Sequence, residues 1–235
     1  MLLSSGWKTS WISRGLIFVI LFLALGLAHM VLTQSATRST GLLMVADIFA
    51  FLTIIYGGFA MSFVNGIPLW NTALLPILYV ISGLLGGAEV TLGIALASGN
   101  IGVGTAMEGW IRLLLICFIL LIPVYLMTVR YTSSTGQASV KYMALGKWSP
   151  LFWIAVVIMG MVIPVTAVIN SYLTGLEIGV MAFLYAAILS GLIGDLAMRY
   201  LILKGGMYSP IIPSSRGAQK NHGPGHLSHG LDMVA

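Results

Sequence analysis

Apolar residues run through this chain in long blocks, separated by short polar or glycine-rich segments. A helix needs roughly 20 mostly apolar residues to cross a bilayer. Six windows meet that need: 12–33, 41–65, 72–97, 107–128, 149–173 and 178–203. Backbone facing lipid must satisfy its own hydrogen bonds, so each window predicts a helix. Ser39-Thr40-Gly41 opens the second window and Asn65-Gly66-Ile67-Pro68 closes it. Ser98-Gly99-Asn100-Ile101-Gly102-Val103-Gly104 separates the third from the fourth, and the stretch 129–148 reads as a long polar connection ending in Trp148-Ser149-Pro150. The pattern predicts an all-α, polytopic transmembrane helix bundle. It is a single membrane domain over 1–203, followed by a Gly/Pro/His-rich, poorly ordered tail over 204–235.

Composition removes the soluble alternative. The 235 residues are 59% hydrophobic and 7% charged, with a mean hydropathy of +1.03. A soluble domain carries roughly 25% charged residues. The formal charge of +5 does not mark a nucleic-acid surface, because the basic residues are scattered over short connections and the tail. With six spans, Lys8, Arg14, Arg130, Lys141, Lys147, Arg199, Lys204, Arg216 and Lys220 share one side, and Arg38 and Arg112 take the other. The positive-inside rule then puts both termini in the cytoplasm and the chain in the inner membrane. The first apolar run is too long for a cleavable signal peptide. The single cysteine, Cys117, excludes an internal disulfide or a cysteine-ligated iron–sulfur cluster within this chain.

Ionisable residues inside spans are costly and are functional candidates by default. His29 lies near the outer end of the first span and Asp47 near the outer start of the second. At ~1.5 Å per residue they lie at similar depth, on helices joined by a short loop. A carboxylate beside an imidazole holds the ring tautomer and supports proton exchange near neutral pH, as with a quinol hydroxyl. The same spacing also suits an interfacial histidine and a headgroup-facing aspartate. Glu89 sits deeper, in the small-residue run Gly83-Leu84-Leu85-Gly86-Gly87-Ala88 that precedes it, where close helix approach would bury it as a proton relay or half of a structural pair. Glu108 with Arg112, and Asp195 with Arg199, are i,i+4 pairs; their first reading is helix-end stabilisation. Asn170 completes the polar set. Bis-histidine haem ligation is excluded, since His29 alone lies within a span and His222, His226 and His229 are in the tail. The tail histidines in their Gly/Pro context are weak metal ligands, and no metal site is expected.

Several segments resemble a known family in the expected order. They are Ser10-Trp11-Ile12-Ser13-Arg14-Gly15, Ile55-Tyr56-Gly57-Gly58-Phe59-Ala60, Gly66-Ile67-Pro68-Leu69-Trp70-Asn71-Thr72-Ala73-Leu74-Leu75-Pro76-Ile77-Leu78, and Arg199-Tyr200-Leu201-Ile202-Leu203-Lys204-Gly205-Gly206-Met207-Tyr208-Ser209-Pro210. Together they are similar to the NrfD-type membrane subunits of polysulfide reductase and related complexes. The resemblance starts at that family's third helix, so its first two helices have no counterpart here. It implies a haem-free subunit that binds menaquinone or ubiquinone near the outer face. Its electrons would pass to or from an iron–sulfur subunit coupled to a molybdopterin catalytic subunit, in anaerobic respiratory electron transport. Quinone redox would occur in this chain and terminal catalysis in the partner. The resemblance places His29, Asp47 and Tyr56 at the quinone. Apart from it, Glu89, Asp195 and Arg199 are the candidates for a proton relay, a route that spacing alone does not connect.

Two other function classes fit parts of the pattern. A proton- or ion-coupled transporter would also use buried carboxylates, glycines and Pro164, but should carry paired broken helices in two halves, and no such repeat is evident. A structural anchor would tolerate replacement of His29 and Asp47 without loss of electron transfer.

Overall fold

The computed structural model describes residues 11–34, 40–174 and 178–209. Lys8, Arg38, Arg216, Lys220 and the three tail histidines lie outside them. The described residues form helices α1 (Trp11–Gln34), α2 (Thr40–Ser62), α3 (Leu74–Ala97), α4 (Ile101–Thr132) and α5 (Ser134–Ala144). A π-helical segment, Leu151–Val162, follows, then α6 (Ile163–Thr174) and α7 (Ile178–Gly205). Six spans are long and apolar enough to cross a membrane, the π-helical segment and α6 together making one. The chain is a multi-pass helical membrane protein.

The helices chain together in space as α1 on α2, α2 on α3, and α3 on both α4 and α7, with the π-helical segment and α6 against α7. Only 6% of the α1 span is buried, against 44% for α7, so α1 and α2 form the periphery, and α3, α4, the π-helical segment and α7 the centre. Leu75, Leu115, Phe118, Tyr125, Val156 and Leu201 are among the side chains that fill that centre. Lipid is as apolar as leucine, so such helices are held by close packing and hydrogen bonds, with no hydrophobic drive between them. Small residues permit the closest approach. Gly160 and Gly194 bring the π-helical segment and α7 into backbone contact, and Gly58 lets α2 meet Pro76 of α3.

One membrane face is closed by a polar cap. Trp70 Nε1 donates to the Ile202 carbonyl at 2.7 Å, and the Tyr125 hydroxyl to the Leu69 carbonyl at 2.6 Å. The segment after α7 folds back: Met207 N donates to Ser139 Oγ at 3.2 Å and Ser209 N to the Gly66 carbonyl at 2.8 Å. The two most distinctive sequence segments thus meet each other here. Residues 205–209 belong to this cap, so the part of the expected tail that is described is built into the fold.

Two boundaries differ from the sequence expectation. The fourth helix starts at Ile101 and ends at Thr132 instead of covering 107–128. Asn100 caps its start, its side chain accepting from Val103 N at 3.3 Å, and Gly99 takes the left-handed turn at φ +70°. The polar connection 129–148 contains α5, which Ser133 caps by accepting from Gly136 N at 3.0 Å. The fifth span also changes winding. Ile163 N donates to the Ile158 carbonyl, five residues back, and ordinary α-helix begins there. Pro164 has no N–H to continue an i→i−4 ladder, so the change of winding falls beside it.

Candidate functional site

The intramembrane polar residues fall into three groups. The first comprises His29 of α1 and Asp47 of α2, on the side of the membrane opposite α5. His29 is half-buried, and its Nε2 lies 3.5 Å from Thr33 Oγ1. The Thr33 hydroxyl donates to the His29 carbonyl at 2.8 Å. His29 Nδ1 is shielded and has no hydrogen-bond partner. Asp47 is exposed, and no ion pair joins it to His29 among the described residues. The expected carboxylate–imidazole contact is therefore not made. The helix register gives the reason. Phe18 packs on both Phe49 and Tyr56, with ring centroids 6.4 and 6.3 Å apart, and this sets Asp47 roughly one and a half turns deeper than His29.

Tyr56 lies elsewhere on the same seam. Its ring packs directly on Gly15, whose missing side chain makes the room. Gly15 and His29 are separated along α1 by about 21 Å, so one quinone ring cannot bond both His29 and Tyr56. His29 and Tyr56 thus stand at different depths of the α1–α2 seam.

The second group crosses from α3 to α7. Arg199 Nε donates to Asp195 Oδ2 at 2.8 Å, and Arg199 Nη2 donates to Ser82 Oγ at 2.8 Å. Its guanidinium stands 4.7 Å from the centroid of the Tyr79 ring. The pair is therefore more than an intrahelical one: it ties two spans. One turn from Asp195, Gly191 faces the carboxyl group of Glu89, which is 4% exposed and occupies the space where a side chain at 191 would stand. Asp195 Oδ1 has no hydrogen-bond partner. Positions 191, 195 and 199 are successive turns of α7, so Glu89, Asp195 and Arg199 line one seam over about 12 Å.

The third group joins α4 to α6. Glu108 accepts from Arg112 Nη2 at 3.3 Å and from the Ser171 hydroxyl. Arg112 stands 5.1 Å from the centroid of the Tyr172 ring, and its Nε has no partner. Arg112 and Tyr172 end a cleft of about 430 Å³, whose remaining walls are aliphatic, among them Leu115, Ile116, Val168 and Ile169. A larger cleft, about 610 Å³, opens between α2 and α3 beside Asn65, Asn71 and Thr72, on the α5 side. Neither cleft is lined by His29 or Asp47. Sequence reasoning missed Ser82, Tyr79, Ser171 and Tyr172. They are ordinary span residues by composition, and only helix packing brings them to the charges.

Comparison with known proteins gives one match. The family model described as polysulphide reductase, NrfD, matches residues 2–210. Searches of curated proteins and of solved structures return no match. The match covers the six spans, the capped face and all three polar groups. The chain therefore belongs to the NrfD polysulphide reductase family, membrane components of polysulphide and related reductase complexes.

Proposed function

We propose that this chain is the quinone/quinol-interacting membrane subunit of a respiratory oxidoreductase, exchanging electrons with an iron–sulfur subunit of a molybdopterin enzyme. The observation that carries the reading is the unpartnered imidazole nitrogen of His29 at hydrocarbon depth, with the exposed carboxylate of Asp47 on the adjoining helix. A polar atom without a partner is costly there, and a quinone headgroup restores the lost hydrogen bond. With Nε2–H directed to Thr33, neutral His29 keeps Nδ1 as an acceptor for the headgroup. A quinol hydroxyl gives its proton to His29, and the Asp47 carboxylate on the adjoining helix favours the imidazolium that forms before it releases the proton to water.

Oxidation of one quinol releases two electrons and two protons. The electrons leave to the partner's iron–sulfur cluster, and reduction of quinone runs the same steps in reverse. With a single cysteine and no second histidine in a span, the chain depends on a partner for its electrons. Menaquinone or ubiquinone serves as an exchangeable substrate. Tyr56 lines the α1–α2 seam away from the headgroup, and Glu89, Asp195 and Arg199 form a proton relay along the α3–α7 seam. The basic residues Arg130, Lys141, Lys147 and Lys204 gather on the α5 side, which supports an inner-membrane location with both termini cytoplasmic.

A second headgroup position is favoured by one observation, the Arg112 and Tyr172 pair at the end of an apolar cleft. Substitution separates the two. His29→Ala and Asp47→Asn should each lower quinol-linked activity of native membranes by roughly 100-fold or more, while the complex still assembles. The double variant Glu108→Gln with Arg112→Leu, which removes both charges together, should keep the activity. Loss in the double variant alone would move the headgroup to the α4–α6 cleft. Wild-type rates from all of them would end the quinone reading.

A further inference from the structure

The α5 side carries a smaller cavity, about 270 Å³, lined by Arg130, Gln137, Val140, Lys141, Ala144 and Leu145. Arg130 stands in the last turn of α4 and Lys141 in the last turn of α5, where each also faces the negative end of its helix. Both side chains are exposed, and neither has an ion pair among the described residues. No carboxylate lines the cavity. Scattered basic residues are common on such a face and are ordinarily solvated. These two differ because they share one concavity with an amide donor, Gln137, on one side and an apolar wall on the other. Leu145 in that wall is 75% exposed.

The cavity is preformed. Ser133 caps α5, Gly136 lies directly against the Val129 carbonyl, and Met143 is fully buried. The far end is pinned by the Ala144 carbonyl, which accepts from Ser149 Oγ at 2.9 Å and Trp153 Nε1 at 3.0 Å. Its level is that of the membrane surface: α4 ends there, α5 is too short to span, and Tyr131 and Trp153 are exposed beside it.

We propose that the Arg130–Gln137–Lys141 cavity holds the headgroup phosphate of an anionic phospholipid from the leaflet on the α5 side. Two uncompensated cations and an amide donor match a phosphate diester, and the apolar wall at Val140, Ala144 and Leu145 accepts the start of an acyl chain. A zwitterionic lipid fits worse, because no carboxylate is present to receive its ammonium. This site is independent of the quinone reading and of which face is cytoplasmic.

The test is native mass spectrometry of the full chain released from bilayers of mixed phosphatidylglycerol and phosphatidylcholine. Each of the two basic side chains that face the bound phosphate contributes about a fivefold preference. The wild-type chain should therefore retain phosphatidylglycerol over phosphatidylcholine by roughly 20-fold. Arg130→Gln and Lys141→Gln should each cut that preference about fivefold. Both side chains are exposed, so the variants should keep the wild-type melting temperature. Lys147→Gln, on the same face but outside the cavity, should change nothing. Equal retention of the two lipids, or an equal loss in Lys147→Gln, would overturn the site. Displacement of the bound lipid by inorganic phosphate would assign the cavity to soluble phosphate and overturn the lipid.

Discussion

Arg199 keeps its charge inside a membrane helix because three neighbours satisfy it: Asp195, Ser82 and the face of Tyr79. Hydrogen bonds between membrane helices contribute modestly, about 0.6 kcal/mol on average and up to about 1.7. Ser82→Ala should therefore lower stability by about that amount. Arg199→Gln leaves Asp195 without its cation and should cost more, about 1–2 kcal/mol after allowing for the partial exposure of the pair. Chemical unfolding of the two single variants and the double variant checks this, and the two losses should be less than additive. At this scale the sequence was informative about charges and silent about their partners. Glu89, Asp195 and Arg199 stand out because they interrupt apolar runs. Ser82 is 117 residues from Arg199, and Ser171 is 63 from Glu108, so nothing local marks either. The same limit explains His29 and Asp47, whose depths agree by counting from the loop but whose register is fixed by the rings of Phe18, Phe49 and Tyr56.

At the scale of elements, apolar length predicted all six spans, and most limits lie within a few residues of the windows. The fourth span departs most, because the glycines at 102 and 104 signal a break in the sequence. A capping asparagine overrides that signal by fixing the first turn. α5 was hidden because it is short and only partly apolar, and it is held by Ser139, Met143 and the capped corner at Ser133. Glycine also divides by role. Gly194 faces the backbone of Gly160, so any side chain there forces two spans apart. Gly194→Val should cost about 1–3 kcal/mol or more and should lower the thermal unfolding temperature in detergent. Gly87 has open space around its side-chain position, so Gly87→Ala should be neutral or stabilising by about 0.5–1 kcal/mol. Equal melting temperatures for the two variants would contradict the packing described for the π-helical segment and α7.

For the whole molecule, membrane residence follows from composition alone, and the six spans follow one another in the order that the apolar windows predict. The distinctive segments 66–78 and 199–210 are legible as a family signature, and the part described, through Ser209, explains their place physically. They meet in the cap, where Trp70 bonds the Ile202 carbonyl and Ser209 bonds Gly66. They lie on the opposite side of the membrane from His29. The central claim concerns what passes through this scaffold. The most direct test is to isolate the chain from its native membrane in mild detergent and identify the bound quinone and the co-purifying subunits. Quinone together with an iron–sulfur subunit and a molybdopterin subunit is the predicted result. A well-folded solitary chain without quinone would contradict the account.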